Sequence, residues 1–119
     1  MGYIGIIEDD ELVREGLRDS VESAGYLVVV FASAEEFLDA KLAHPVDCLI
    51  VDIQLPGMSG LDLQRWLSTH TLRIPIIFVT AHGNEVIREE VLRRGASALF
   101  LKPFRREELL NAVKASIEQ

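Results

Sequence analysis

The stretch Val46-Asp47-Cys48-Leu49-Ile50-Val51-Asp52 is an apolar run that ends in a carboxylate, and Gln54-Leu55-Pro56-Gly57-Met58-Ser59-Gly60 breaks the pattern directly after it. A short, nearly continuous apolar run closed by turn residues reads as a strand covered on both faces. Asp52 at its end is costly unless something nearby compensates the charge. Two similar runs end in groups suited to that task. Tyr3-Ile4-Gly5-Ile6-Ile7 leads into Glu8-Asp9-Asp10, and Leu99-Phe100-Leu101 leads into Lys102-Pro103. Acids, a lone acid and a lysine at three strand ends point to one site.

Working outward, five such runs recur, at residues 3–7, 27–31, 47–51, 75–80 and 98–101. Segments with helical spacing separate them. Val13, Leu17, Val21 and Ala24 form one stripe, Phe37, Leu38 and Leu42 a second, and Leu109, Leu110, Val113 and Ile117 a third. Ser33 with Glu36 and Ser59 with Asp62 have capping-box spacing, and Gly25 and Gly95 sit where helices end. The helix near residues 85–94 has the thinnest apolar stripe, Ile87 and Val91 among charges, which marks it as the one to move or to meet a partner. Strict alternation of strand and helix predicts an α/β fold, a doubly wound parallel sheet with right-handed crossovers. Ligands of such sheets bind beyond the carboxyl ends of the strands, where Asp9, Asp52, Thr80 and Lys102 all fall.

With 119 residues, 49% of them hydrophobic and 26% charged, residues 1–119 read as a single globular domain with a core of its own. The formal charge of −7 argues against direct contact with nucleic acid or an anionic membrane. Cys48 is the only cysteine, which excludes an internal disulfide and a cysteine-based zinc cluster, and its apolar context marks it as a small buried hydrophobe. No stretch has the length of a membrane span, and the expected location is cytoplasmic and reducing.

The first strand is followed by Glu8-Asp9-Asp10-Glu11, where many nucleotide-binding folds carry a glycine-rich loop. Bare carboxylates repel phosphate but attract a hard divalent cation able to bridge to one, and magnesium fits such a set. The same run also suits a plain helix cap. Asp52 is either a strand-end cap or a nucleophile toward phosphorus, since an ionised carboxylate can form an acyl phosphate without a general base. Lys102 is one of three lysines against nine arginines, placed to neutralise phosphoryl oxygens or simply to be solvated, before a bond that proline permits to be cis. Thr80 presents a hydroxyl at the end of the fourth strand, and Ala81-His82-Gly83 leaves backbone amides accessible to a phosphoryl oxygen. His82 reads as an exposed loop residue, and Trp66 and Met58 as packing or loop residues.

In their order, Ile6-Ile7-Glu8-Asp9-Asp10, Val51-Asp52-Ile53-Gln54-Leu55-Pro56-Gly57-Met58-Ser59-Gly60, Val79-Thr80-Ala81 and Lys102-Pro103-Phe104 resemble the receiver domain of bacterial two-component response regulators over all 119 residues. Ser33-Ala34-Glu35-Glu36-Phe37-Leu38, Ile74 to Gly83 and Arg94-Gly95-Ala96 are most similar to receivers of FixJ/LuxR-type transcription factors. The resemblance implies a flavodoxin-like five-stranded sheet of order 2-1-3-4-5 with five helices. It implies that Asp52 accepts a phosphoryl group from a sensor histidine kinase. Glu8, Asp9, Asp52 and the Gln54 backbone carbonyl would organise Mg2+, while Thr80, the Ala81 amide and Lys102 hold the phosphate. It also implies a phosphorylation-dependent homodimer through the fourth helix, fifth strand and fifth helix, and DNA contact only through an output domain outside this chain. No turnover of a separate substrate is expected.

One position departs from the family pattern. Receivers commonly carry Tyr or Phe three residues before the lysine, and here Leu99 stands there. Phe100 follows on the opposite face by strand alternation, which makes it a core residue and not a switch. Two other readings stay open beside the first, a stand-alone relay and an interaction module that works without phosphorylation. A phosphatase of the haloacid dehalogenase type would share the aspartate, threonine and lysine, but wants a second aspartate where this chain has Gln54.

Overall fold

The structure, a computed structural model, describes residues 2–70 and 72–118. Strands and helices alternate from β1 (Tyr3–Ile7) and α1 (Glu11–Ser23) through β2 (Leu27–Phe31) and α2 (Ala34–Asp39) to β3 (Cys48–Asp52) and α3 (Gly60–Thr69). β4 (Ile76–Thr80), α4 (Glu85–Arg93), β5 (Ala98–Leu101) and α5 (Arg106–Ile117) complete the order. The five strands form one parallel sheet in the order β2-β1-β3-β4-β5, as expected.

Strand alternation divides the core into two layers. Ile7, Leu49, Val51, Ile76, Phe78 and Leu99 face the side covered by α2, α3 and α4, where Phe37, Leu63, Leu67 and Val91 meet them. Ile4, Ile6, Cys48, Ile50, Ile77 and Val79 face α1 and α5, packed by Leu17, Val21, Leu109 and Val113. Every residue of β3 and β4 is buried, the reason those runs lack polar alternation.

Relative to the expected runs, β3 begins and ends one residue later, at Cys48 and Asp52, and β4 begins one residue later, at Ile76. Asp47 falls just outside β3, where its amide donates to the Tyr3 carbonyl at 2.7 Å and its carboxylate accepts the Tyr3 amide at 2.8 Å, a fastening at the strand's entry. Pro75 falls outside β4, though its carbonyl still accepts the Leu49 amide at 2.9 Å. Leu42 lies beyond the short α2 yet packs on the same core layer.

The helix signals act at the expected residues. Ser59 and Asp62 form a reciprocal capping box at α3. At α2 the Ser33 hydroxyl accepts the Glu36 amide, but Glu36 reaches back to the Ala32 amide, so that box is open. Asp10, not Asp9, caps α1 by accepting the Leu12 and Val13 amides. Gly25 and Gly95 follow their helices at positive φ, 98° and 100°, where a side chain is strained.

The start of α3 butts directly onto the end of β3. A Cβ at Gly60 would come within 2.6 Å of the Asp52 backbone oxygen and 2.9 Å of the Ile53 Cα. Gly60→Ala is expected to lower stability by about 2 kcal/mol in urea unfolding, because neither backbone atom can yield cheaply. Gly16→Ala, on an exposed turn of α1 with nothing within 4 Å, is expected to raise it by about 0.5–1 kcal/mol.

Candidate functional site

The carboxyl ends of β1, β3 and β5 bring one cation and several acids together. Lys102, directly after β5, places Nζ 2.6 Å from Glu8 Oε1 and 3.0 Å from Asp52 Oδ2. The Glu8 side chain is 1% exposed, that of Asp52 8% and that of Lys102 19%. Two carboxylates so deep in the fold require such a cation, since each would otherwise be stranded away from water.

The acidic run after β1 is held from three directions. The Glu8 amide donates to the Phe31 carbonyl at 3.0 Å, Glu8 Oε2 accepts the Asp10 amide at 3.1 Å, and Arg14 donates to the Glu8 carbonyl at 2.9 Å. Arg14 thus clamps the run from the first turns of α1, a role the sequence reading missed. Its only signal was a cation shortly after an acidic stretch. Asp9 stays exposed, and it brings a carboxylate oxygen within 4.8 Å of those of Glu8 and Asp52.

This donor set suits a hard divalent cation. It offers carboxylate oxygens and no imidazole or thiolate, and the exposure of Asp9 leaves room for the waters that magnesium retains. Gln54 borders the set, its amide donating to Asp52 Oδ1 at 2.9 Å and so fixing the carboxylate's rotation. A cleft of about 470 Å³ opens beside Lys102, lined by Gln54, Ala81, His82, Gly83, Leu101 and Lys102 among others.

Thr80 is fully buried at the end of β4, but its hydroxyl is engaged within its own loop. It donates to the His82 carbonyl and accepts the His82 amide, both at 3.2 Å. Among the expected residues, Glu8, Asp9, Asp52 and Lys102 therefore form the cluster, and Gln54 touches it through its amide. Thr80 and Ala81 stand at the adjoining loop, with Ala81 on the cleft wall. The Lys102-Pro103 bond is cis.

Burial pushes the Glu8 carboxyl above its ordinary value, with the Lys102 and Asp10 hydrogen bonds opposing and the Asp52 charge reinforcing. Burial alone would lower Lys102, yet its hydrogen bonds to Glu8 and Asp52 together with their charges outweigh it and raise the ammonium's pKa. Cys48 is fully buried, and burial pushes its thiol up to about 12, consistent with a packing role. Leu99 is 2% exposed and lies in the layer with Phe78 and Val91, whereas Phe100 is half-buried on the other side beside Phe104. The expected split between the two residues is what the strand shows. Trp66 and Met58 pack on the same layer as Leu99.

Known proteins carry the same frame. A family model of the response regulator receiver domain matches residues 4–114. The response regulator protein TodT of Pseudomonas putida is 43% identical over 97% of this chain and 51% of its own length. Nodulation protein W of Bradyrhizobium diazoefficiens is 41% identical over 96% of this chain and 50% of its own. The chain thus spans about half the length of the curated relatives it matches. The crystal structure of FixJ-N superposes with a TM-score of 0.89 at 30% identity, covering 100% of this chain and 95% of that one.

Lys102→Met tests whether the ammonium holds the acids in place. The variant is expected to lose about 3 kcal/mol at neutral pH, the usual cost of orphaning one side of a buried ion pair. In the wild type the raised Lys102 stabilises fully below its unfolded pKa and loses that contribution as pH rises through its higher folded value. The raised Glu8 opposes folding as pH climbs from its unfolded value through its folded one, and removing Lys102 enlarges that penalty. Urea midpoints should therefore converge for the two proteins near pH ~4 and separate toward pH ~7. Parallel curves over that range would show that the pair carries no such energy.

Proposed function

The chain belongs to the response regulator receiver domain family, and on that premise we propose that it is a single phospho-acceptor domain in which Asp52 takes a phosphoryl group from the phosphohistidine of a sensor kinase. The observation that carries this reading is Asp52 itself, a buried carboxylate with Lys102 Nζ at 3.0 Å and the oxygens of Glu8 and Asp9 within 4.8 Å. One Asp52 oxygen attacks phosphorus in line with the leaving nitrogen. The O–P bond forms as the P–N bond breaks, and the imidazole departs with the electron pair.

The chain's own residues do positional and electrostatic work. The Gln54 amide holds Oδ1, which leaves the rotation of the carboxylate defined before the donor arrives. Lys102 is shared between Glu8 and Asp52, and it can follow the negative charge onto the phosphoryl oxygens with a small shift of its flexible stem. Glu8, Asp9, Asp52 and the Gln54 carbonyl would hold Mg2+, which would supply positive charge to offset that of the phosphoryl group. Thr80 and the Ala81 amide would receive a phosphoryl oxygen, the Thr80 hydroxyl exchanging its present His82 partner for it.

That exchange supplies a signal. Releasing His82 from Thr80 frees the loop that leads to the Asn84 cap of α4, the helix with a single buried residue, Val91. The α4, β5 and α5 face then changes, and with it dimerisation and the output domain of a transcription factor carried elsewhere in the protein. The setting is the cytoplasm. Among the described residues no helix is long and apolar enough to cross a membrane. The domain supports its own phosphoryl transfer and hydrolysis without turning over a separate substrate.

Incubation with acetyl phosphate and Mg2+ is expected to add one phosphate per chain, read by intact mass. Asp52→Asn should add none, and a chelator should abolish the label. Equal labelling of the variant, or steady release of phosphate from a small phosphoester, would defeat the proposal.

A further inference from the structure

Glu35 is an exposed acid in the second position of α2, on a chain already at −7. Its carboxylate nevertheless has a defined partner far along the chain. Oε2 accepts the Met58 amide at 2.9 Å, a contact across 23 residues that joins α2 to the loop between β3 and α3. That loop leaves Asp52 through Ile53 and carries Gln54.

The fit between the two segments is close. Gly57 has φ of 73°, in the region where side chains are strained, and a Cβ there would lie 2.4 Å from Glu35 Oε2. The glycine therefore serves two needs, the turn and the approach of the carboxylate. Elsewhere the loop is fastened by buried Ile53 and Leu55, by the Ile53 amide on the Val79 carbonyl at 3.1 Å, and by the Ser59–Asp62 box. The turn at Pro56-Gly57 lies between these fastenings, and it is there that Glu35 takes hold.

We propose that Glu35 is a positioning residue for the acceptor site, pinning the β3–α3 loop so that the Gln54 amide stays on Asp52 and keeps the carboxylate turned for metal and phosphoryl donor. The inference rests on the phospho-acceptor reading of Asp52. Glu35 holds the Met58 backbone amide at 2.9 Å, and Gln54, in the same loop, holds Asp52 Oδ1 through its own backbone amide at 2.9 Å. A charge-assisted bond to a backbone amide is stronger than a neutral one, so glutamine should replace Glu35 in part and alanine not at all.

The test compares wild type, Glu35→Ala and Glu35→Gln in the whole chain. Amide exchange by NMR should show Met58 protected in the wild type and about tenfold faster in Glu35→Ala, with the β1 and β3 amides unchanged. Magnesium titration followed at the Gln54 amide should show severalfold weaker binding in Glu35→Ala, and acetyl phosphate labelling should slow with it. Glu35→Gln should recover most of all three. An unprotected Met58 amide in the wild type overturns the inference, as does faster Met58 exchange with metal affinity and labelling unchanged. If wild type takes no phosphate while Glu35→Ala still weakens magnesium, the acceptor reading fails and the positioning role toward the metal stands. A wild type that takes phosphate at a rate indifferent to Glu35 leaves the acceptor reading intact and removes the positioning role.

Discussion

The ammonium of Lys102, shared between Glu8 at 2.6 Å and Asp52 at 3.0 Å, is the interaction on which the rest of the site depends. Both carboxylates sit at the end of buried strands, and neither could remain charged there alone. The strand order makes the contact long-range, since β4 lies between β5 and β3 and β3 lies between β4 and β1. A long flexible stem ending in a compact charge suits that reach better than a guanidinium, which fits a chain that otherwise favours arginine for its cations. The same property suits phosphoryl transfer, where charge must move from a carboxylate to a phosphoryl group without rebuilding the surroundings.

Around this bridge both backbone and side chains are tied down. Arg14 holds the Glu8 carbonyl, Asp10 caps α1, and the Gln54 amide fixes one Asp52 oxygen. Thr80 is the exception, with its hydroxyl turned into its own loop. Leu99 fills a core position, and the Arg88 guanidinium of α4 donates to the Leu99 carbonyl at 3.1 Å. In this chain α4 and β5 are thus joined by aliphatic packing and a bond to the backbone.

Much of this was legible in the residues. The continuous apolar runs of β3 and β4 reflect burial on both faces, so their strand character follows from those runs, and the parallel sheet from their strict alternation with helical segments. Asp52 and Lys102 were visible because a charge at the end of such a run is costly. The opposite faces of Leu99 and Phe100 followed from period-two alternation. What escaped were contacts set by loop geometry. Arg14 on the Glu8 carbonyl, Glu35 on the Met58 amide and the inward turn of Thr80 each join a side chain to backbone, and backbone partners leave no trace in residue identity. At the entry of β3, too, the Asp47 carboxylate accepts a backbone amide, that of Tyr3.

If Asp52 alone among its close acidic neighbours takes the phosphoryl group, the modified residue can be identified chemically. An acyl phosphate, unlike a free carboxylate, is reduced by borohydride to an alcohol, which turns a modified aspartate into homoserine. Peptide sequencing by mass spectrometry after phosphorylation and reduction should place homoserine at position 52, and leave positions 9 and 10 as aspartate. Homoserine at either of those neighbours, or a fully phosphorylated protein with none at position 52, would contradict the account.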